Sequence, residues 1–228
     1  MTDDPTETLL DAALVHVAFD GWSDTTFRAA IEDSGVDPVV ARGLFPRGAV
    51  DLSVAYHRRG DRIMRERLAA SDLSNMRFRD KVAQAVRLRI EASEDREAVR
   101  RGTTLFALPP YAPEGAKLIW ETADAIWSAL GDTSRDINWY TKRATLAGVY
   151  SSTVLFWLGD DSVGAQATWD FLDRRIEDVM RIETAKAKVR ENPLLKSVFA
   201  LPNAVLSRVR APARRQDVPG QSGPGPQV

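Results

Sequence analysis

The chain contains no cysteine and only two histidines, His16 and His57, among its 228 residues. Disulfides, thiolate zinc sites and thiol nucleophiles are excluded, and most histidine-built metal or catalytic sites go with them. No apolar run reaches the roughly 18–20 residues that a membrane-spanning helix requires. Neither charge sign dominates: 31 Lys and Arg against 32 Asp and Glu leave a net charge of −1, which argues against bulk-charge binding of nucleic acid. The opening MTDDPTE is acidic and lacks the basic and apolar regions of a signal or transit peptide. The Glu-x-x-His pattern of helical di-iron sites is missing, because Ala13 and Val54 stand three residues before the histidines. Glu121 and Asp124 share a helix face but lack a further metal-ligating partner, and no phosphate-loop or dinucleotide motif occurs. These absences predict no catalytic residue, no metal and no cofactor. His16 reads as structural.

What is present is helical periodicity. Leu9, Leu10, Ala13, Leu14 and Val17 make one stripe over 6–19, ended by Gly21. Asp24 is placed to cap a second helix to about residue 34, and Asp37-Pro38 to start a short third. Helices follow over 49–70, 74–92, 95–107, 114–130, 135–158 and 163–190, with a rigid non-helical connector at 108–113. The pattern predicts an all-α protein. Its parts are a helix-turn-helix-like unit (1–60), a helical bundle (61–190), an amphipathic helix (191–212) and a tail (213–228). That tail is too rich in Pro, Gly and Gln to bury a core.

The charge is unevenly spread. From residue 181 onward nine basic residues face three acids, a balance of +6, while the first 180 residues carry −7. An acidic body with a basic end suggests an anionic surface as partner for that end. Leu194, Leu195, Val198, Phe199, Leu201, Val205 and Leu206 form an apolar stripe there, with Lys196, Arg208 and Arg210 mostly elsewhere. Such a helix can lie in a bilayer interface, kinked at Pro202. Packing on the protein's own core or on a partner subunit is the alternative.

Residues 9–60 resemble the N-terminal three-helix unit of the TetR family of transcriptional regulators. The likeness sits in Leu10, Ala13, Gly21-Trp22, Thr25-Thr26, Phe27, Ile31, Gly35-Val36 and Phe45. A recognition helix must bring polar side chains to bases and phosphates. The third helix here offers only Arg42, and the charges across 33–47 cancel. The expectation is a retained fold that does not read DNA. A ligand-responsive TetR-like regulator is the rival function.

In the centre, Trp120, Ala123, Ile126, Trp127 and Leu130 share a helix face and read mostly as core. The next helix spaces Ala144, Ala147, Gly148, Ser151 and Ser152 among bulky residues. Small residues at that spacing either admit a neighbouring helix or leave room for an apolar ligand. Asp136, Trp139, Tyr140, Lys142 and Arg143 crowd the start of this helix. An aromatic framed by charges is typical of an interface hot spot. A capped helix start with a half-buried tryptophan explains it equally well.

The block DINWYTKRATLAGVYSSTVLFWLGDDS (136–162), followed by ATWDFLDRRIEDVM (167–180), resembles the Coq-nine family of ubiquinone-biosynthesis accessory proteins, over most of residues 9–210. The resemblance implies a TetR-like fold and an accessory role without catalysis. The implied partners are an isoprenoid quinone or other lipid, a membrane surface and the demethoxyubiquinone hydroxylase, with a homodimer expected by analogy. Carried over by motif, the partner-binding patch falls on Asp124, Trp127, Asp136, Trp139, Tyr140 and Arg143. Lipid contacts are expected at Trp120, Ala144, Gly148 and Ser152, with the ligand's ring left exposed. Mitochondrial members carry a targeting segment that the short acidic start lacks, so the expected location is cytoplasmic, peripheral on the inner face of a bacterial membrane.

Overall fold

Local capping decides where most helices begin. In a computed structural model that describes residues 4–191 and 210–212, Asp4 accepts from the Thr6 amide and Pro5 opens α1 (Pro5–Asp20). Ser23, not Asp24, caps α2 (Asp24–Ser34): its hydroxyl accepts from the Thr26 amide, and Asp24 becomes the first helical residue. Asp37 accepts from the Val39 and Val40 amides at 2.7 and 3.2 Å, and Pro38 starts α3 (Pro38–Leu44) as expected. Gly35 joins them in the left-handed region at φ 66°, where a side chain would strain the backbone.

α4 (Ala49–Ala70), α5 (Phe78–Glu91), α6 (Arg96–Ala107), α7 (Ala112–Ala129) and α8 (Ile137–Leu158) follow. A 3₁₀ turn (Val163–Ala165) leads into α9 (Gln166–Glu191). α5 starts four residues later than the periodicity suggested, because Asp72 captures both the amide and the hydroxyl of Ser74 in a local turn. The connector is shorter than expected. Ala112 and Pro113 already belong to the first turn of α7, where proline has no amide to lose. The described residues include no strand. The fold is all-α, as the sequence predicts.

Two apolar clusters organise the chain. One joins Leu9, Leu10 and Val17 to Phe27, Phe45 and Leu52; the other joins Met64 and Leu68 to Val86, Ile126, Leu146 and Leu172. α4 runs unbroken through residue 60 and serves both clusters. The boundary expected there falls inside a shared helix, so the front unit and the bundle are coupled. Trp22 adds a second tie, its Nε1 donating to the Ala98 carbonyl at 3.0 Å. His16 links α1 to α2 through Asp33 at 2.7 Å, the structural part expected of it. The membrane-docking residues named between 194 and 206 lie outside the described residues.

Candidate functional site

Where α4, α6, α7 and α8 meet, the side chains leave a cavity of about 370 Å³, within the range usual for small-molecule sites. Its walls are mainly apolar, including Val99, Phe106, Leu118, Ile119, Val154 and Leu155. Leu155 is also 60% exposed, which places one wall of the cavity at the protein surface. Its polar lining residues include Ser53, Tyr56, Thr103 and Ser151, and a polar end is made by His57, Ser93 and Tyr150 gathered around Arg89.

Arg89 organises that end. It is 2% exposed, and its Nε donates to Asp61 Oδ1 at 2.6 Å, Nη1 to Ser93 Oγ at 3.0 Å and Nη2 to the His57 carbonyl at 2.8 Å. A buried cation needs such pairing, and Asp61 cancels its charge. The guanidinium fits only because residue 60 is glycine: a Cβ there would lie 2.5 Å from Nη1.

Thr122 joins the network by donating to Asp61 Oδ1 at 2.8 Å. Its single hydrogen is thereby committed, so the 2.8 Å contact between Thr122 Oγ1 and His57 Nε2 requires Nε2 to be the donor. Burial, and then the charge of Arg89, pushes His57 well below its ordinary value, so the imidazole is neutral. Nδ1 is left with a bare lone pair. Tyr150, 5% exposed, sits beside the Arg89 guanidinium at 5.7 Å from ring centre to Cζ. Burial pushes its hydroxyl above the ordinary value and keeps it protonated.

A second constellation surrounds the start of α8. Asp136 caps the helix by accepting from the Asn138 amide at 3.0 Å. Trp120, Trp139 and Tyr140 form a cluster of rings, with Trp139 and Tyr140 edge to face at 4.8 Å and Trp120 to Trp139 at 5.9 Å. Trp127 packs on Phe78 at 5.7 Å, and its Nε1 donates to the Lys142 carbonyl. Arg143 donates from Nε to Asp124 at 2.6 Å and from Nη1 to Asp132 at 3.1 Å. Hydrogen bonds from Lys142, Ser134 and Arg143 overcome the opposing effect of burial and hold Asp132 down at about 2.

The six residues expected to bind a partner thus share one neighbourhood, with one correction. Arg143 is 0% exposed; two carboxylates and the Trp139 ring draw it beneath the surface, so it supports the patch and cannot touch a partner directly. The expected lipid contacts need a larger correction. Ala144 and Gly148 lie on the exposed face of α8, Ser152 beside them is half-buried, and none of the three lines the cavity. The face of α8 that does so carries Tyr150, Ser151, Val154 and Leu155. Trp120 belongs to the ring cluster instead.

The polar residues of the cavity escaped the sequence reading. Two signals were available: His57 and Asp61 stand four apart on α4, and Arg89 interrupts the buried face made by Val82, Ala85 and Val86. Among the described residues no three acidic or imidazole groups are grouped to hold a metal. No described helix is long and apolar enough to cross a membrane.

These features define an all-helical, TetR-like protein with a largely apolar cavity. The likeness to a TetR transcriptional regulator from Nitrosomonas europaea agrees: TM-score 0.64, 18% identity, covering 76% of this chain and 97% of that one. It shows the fold. The sequence model of the COQ9 family matches residues 112–183. The mitochondrial ubiquinone biosynthesis protein COQ9 of Drosophila melanogaster is 32% identical over 180 residues, covering 77% of this chain and 55% of that protein. The Homo sapiens protein of the same name is 29% identical over 190 residues, covering 78% and 58%. The chain belongs to the COQ9 family. It spans a little over half the length of these relatives.

Proposed function

We propose that the chain is a lipid-binding accessory protein of ubiquinone biosynthesis. It holds an isoprenoid quinone intermediate and brings it to the demethoxyubiquinone hydroxylase at a membrane surface. The observation that carries this reading is the cavity between α4, α6, α7 and α8, with its mainly apolar walls and the polar cluster around Arg89. Moving an apolar chain from bilayer to such a cavity changes its surroundings little, so the net transfer energy is small and exchange is reversible. An accessory role without catalysis fits, since the charged residue of the cavity, Arg89, is tied into a structural network with Asp61 and Ser93.

The exposed parts of Asp124, Asp136, Trp139 and Tyr140 form the surface for the hydroxylase. Tyr140 donates to the Arg210 carbonyl at 3.2 Å, and the Ala211 amide donates to the Arg135 carbonyl at 2.9 Å. Arg210 and Ala211, at the end of the amphipathic segment, therefore meet this surface, which links membrane docking to partner binding. The location is peripheral, with the basic segment towards anionic headgroups. A homodimer through α8 and α9 fits the outward Phe156–Phe171 stack at 4.6 Å.

Removing residues 192–228 lowers binding to liposomes that contain anionic lipid; unchanged binding refutes the docking role. Trp139→Ala weakens hydroxylase capture about tenfold or more while the bundle stays folded; equal capture counts against this surface. The rival, a ligand-responsive regulator, draws support from the structural likeness. It is opposed by α3, whose exposed face carries Val39 at 77% and Val40 at 47%. Those side chains make no hydrogen bonds to base edges. Steeply salt-dependent gel shifts on genomic fragments would favour the rival.

A further inference from the structure

The polar end of the cavity contains two groups whose hydrogen-bonding capacity is unspent, and they are of opposite kind. No hydrogen bond engages the Tyr150 hydroxyl among the described residues. The residue is 5% exposed and lines the cavity. Buried hydroxyls nearly always find a partner. Arg143 Nη2 is the one walled-in side-chain atom described without a partner, so the Tyr150 hydroxyl is not walled in and has the cavity before it. His57 lines the same end, and the commitment of the Thr122 hydrogen to Asp61 leaves Nδ1 as an acceptor. Arg89 holds the two side by side, bonding the His57 carbonyl at 2.8 Å and packing on the Tyr150 ring.

We propose that this end of the cavity binds a hydroxyl group of the lipid, with Tyr150 donating to its oxygen and His57 Nδ1 accepting its hydrogen. A hydroxyl is the simplest group that is donor and acceptor at one atom. A ketone or quinone oxygen answers Tyr150 but leaves His57 without a donor. A carboxylate or phosphate finds no net positive charge, because Asp61 neutralises Arg89 at 2.6 Å. The site therefore selects alcohols, phenols and hydroquinones, and it holds the polar end of the lipid inward. This reverses the exposed ring expected from the sequence: the ring is stored inside and must be withdrawn for reaction. The proposal rests on the lipid-binding reading above and specifies the ligand that it takes.

Three probes of one carbon skeleton separate the possibilities: farnesol, a farnesene hydrocarbon and the aldehyde farnesal, whose oxygen can only accept. Each is titrated into the full-length protein, with quenching of tryptophan fluorescence as the readout. Expected is tighter binding of the alcohol than of either other probe, by about three- to tenfold for each added neutral hydrogen bond. Tyr150→Phe removes one oxygen and keeps the ring. It should lower alcohol affinity by a similar factor and leave the hydrocarbon unchanged. Equal affinity for alcohol and hydrocarbon in the unaltered protein overturns the hydroxyl site while lipid binding stands. Equal affinity for alcohol and aldehyde overturns the part given to His57. Failure of all three to bind overturns the lipid-binding reading itself. None of these three outcomes depends on a variant folding.

Discussion

The Arg143 guanidinium carbon lies 4.0 Å from the centre of the Trp139 ring. The cation is wholly buried, and Asp124 and Asp132 bind it from the side, so it forms a charged floor under an aromatic that faces outward. One turn of helix separates the two residues, which is why Arg143 reads from sequence as a surface neighbour of Trp139 and proves to be its support.

The two residues should therefore fail differently. Arg143→Met takes from Asp132, whose side chain is 3% exposed, one of its two cationic partners and leaves Lys142 at 2.8 Å, at a cost of about 1–3 kcal/mol in urea unfolding. Trp139→Ala costs less stability and more partner affinity. If Arg143→Met unfolds at the same urea concentration as the unaltered protein, the floor is not structural.

Gly60→Ala reverses the ordinary sign of a helix substitution. In a helix interior the change adds about 1 kcal/mol of stability. Here the new methyl meets Arg89 Nη1 at 2.5 Å and forces the guanidinium off Asp61. Thermal unfolding should show a net loss of about 2 kcal/mol or more. A stabilised variant would mean that Arg89 moves aside freely.

His57 makes stability depend on pH near neutrality. Its folded value lies well below the 6.5 of the free side chain. As pH falls below about 6.5, the unfolded chain takes up a proton that the folded chain refuses, and stability declines. The slope approaches about 1.4 kcal/mol per pH unit and continues down to the folded value. Denaturant unfolding between pH 7.5 and 5 should show this decline, reduced by that amount in His57→Asn. Identical slopes would place His57 in an environment that accepts its charge.

The sequence made the helices legible because capping is local. Asp37-Pro38 and Asp136 set their own starts, and the all-α class follows from periodicity alone. It also located the aromatic patch, through the spacing of Trp139, Tyr140 and Arg143 around one turn. What it did not reveal is which face of α8 turns inward. That depends on α7, met through Trp120 and Asp124, and on α5, met through Arg89. Ala144 and Gly148 looked like room for a ligand, yet the room lies a third of a turn away, beside Tyr150 and Val154. The cluster of Asp61, Arg89 and Thr122 joins residues 28 and 61 positions apart, a distance that no local pattern spans.

Lipid extracted from the purified protein and identified by mass spectrometry tests the cavity most directly, with Val154→Trp, which fills it, as comparison. An isoprenoid amphiphile bearing a hydroxyl should accompany the unaltered protein and be lost from the filled variant. Equal recovery from both proteins, or no isoprenoid from either, contradicts a cavity built to carry one.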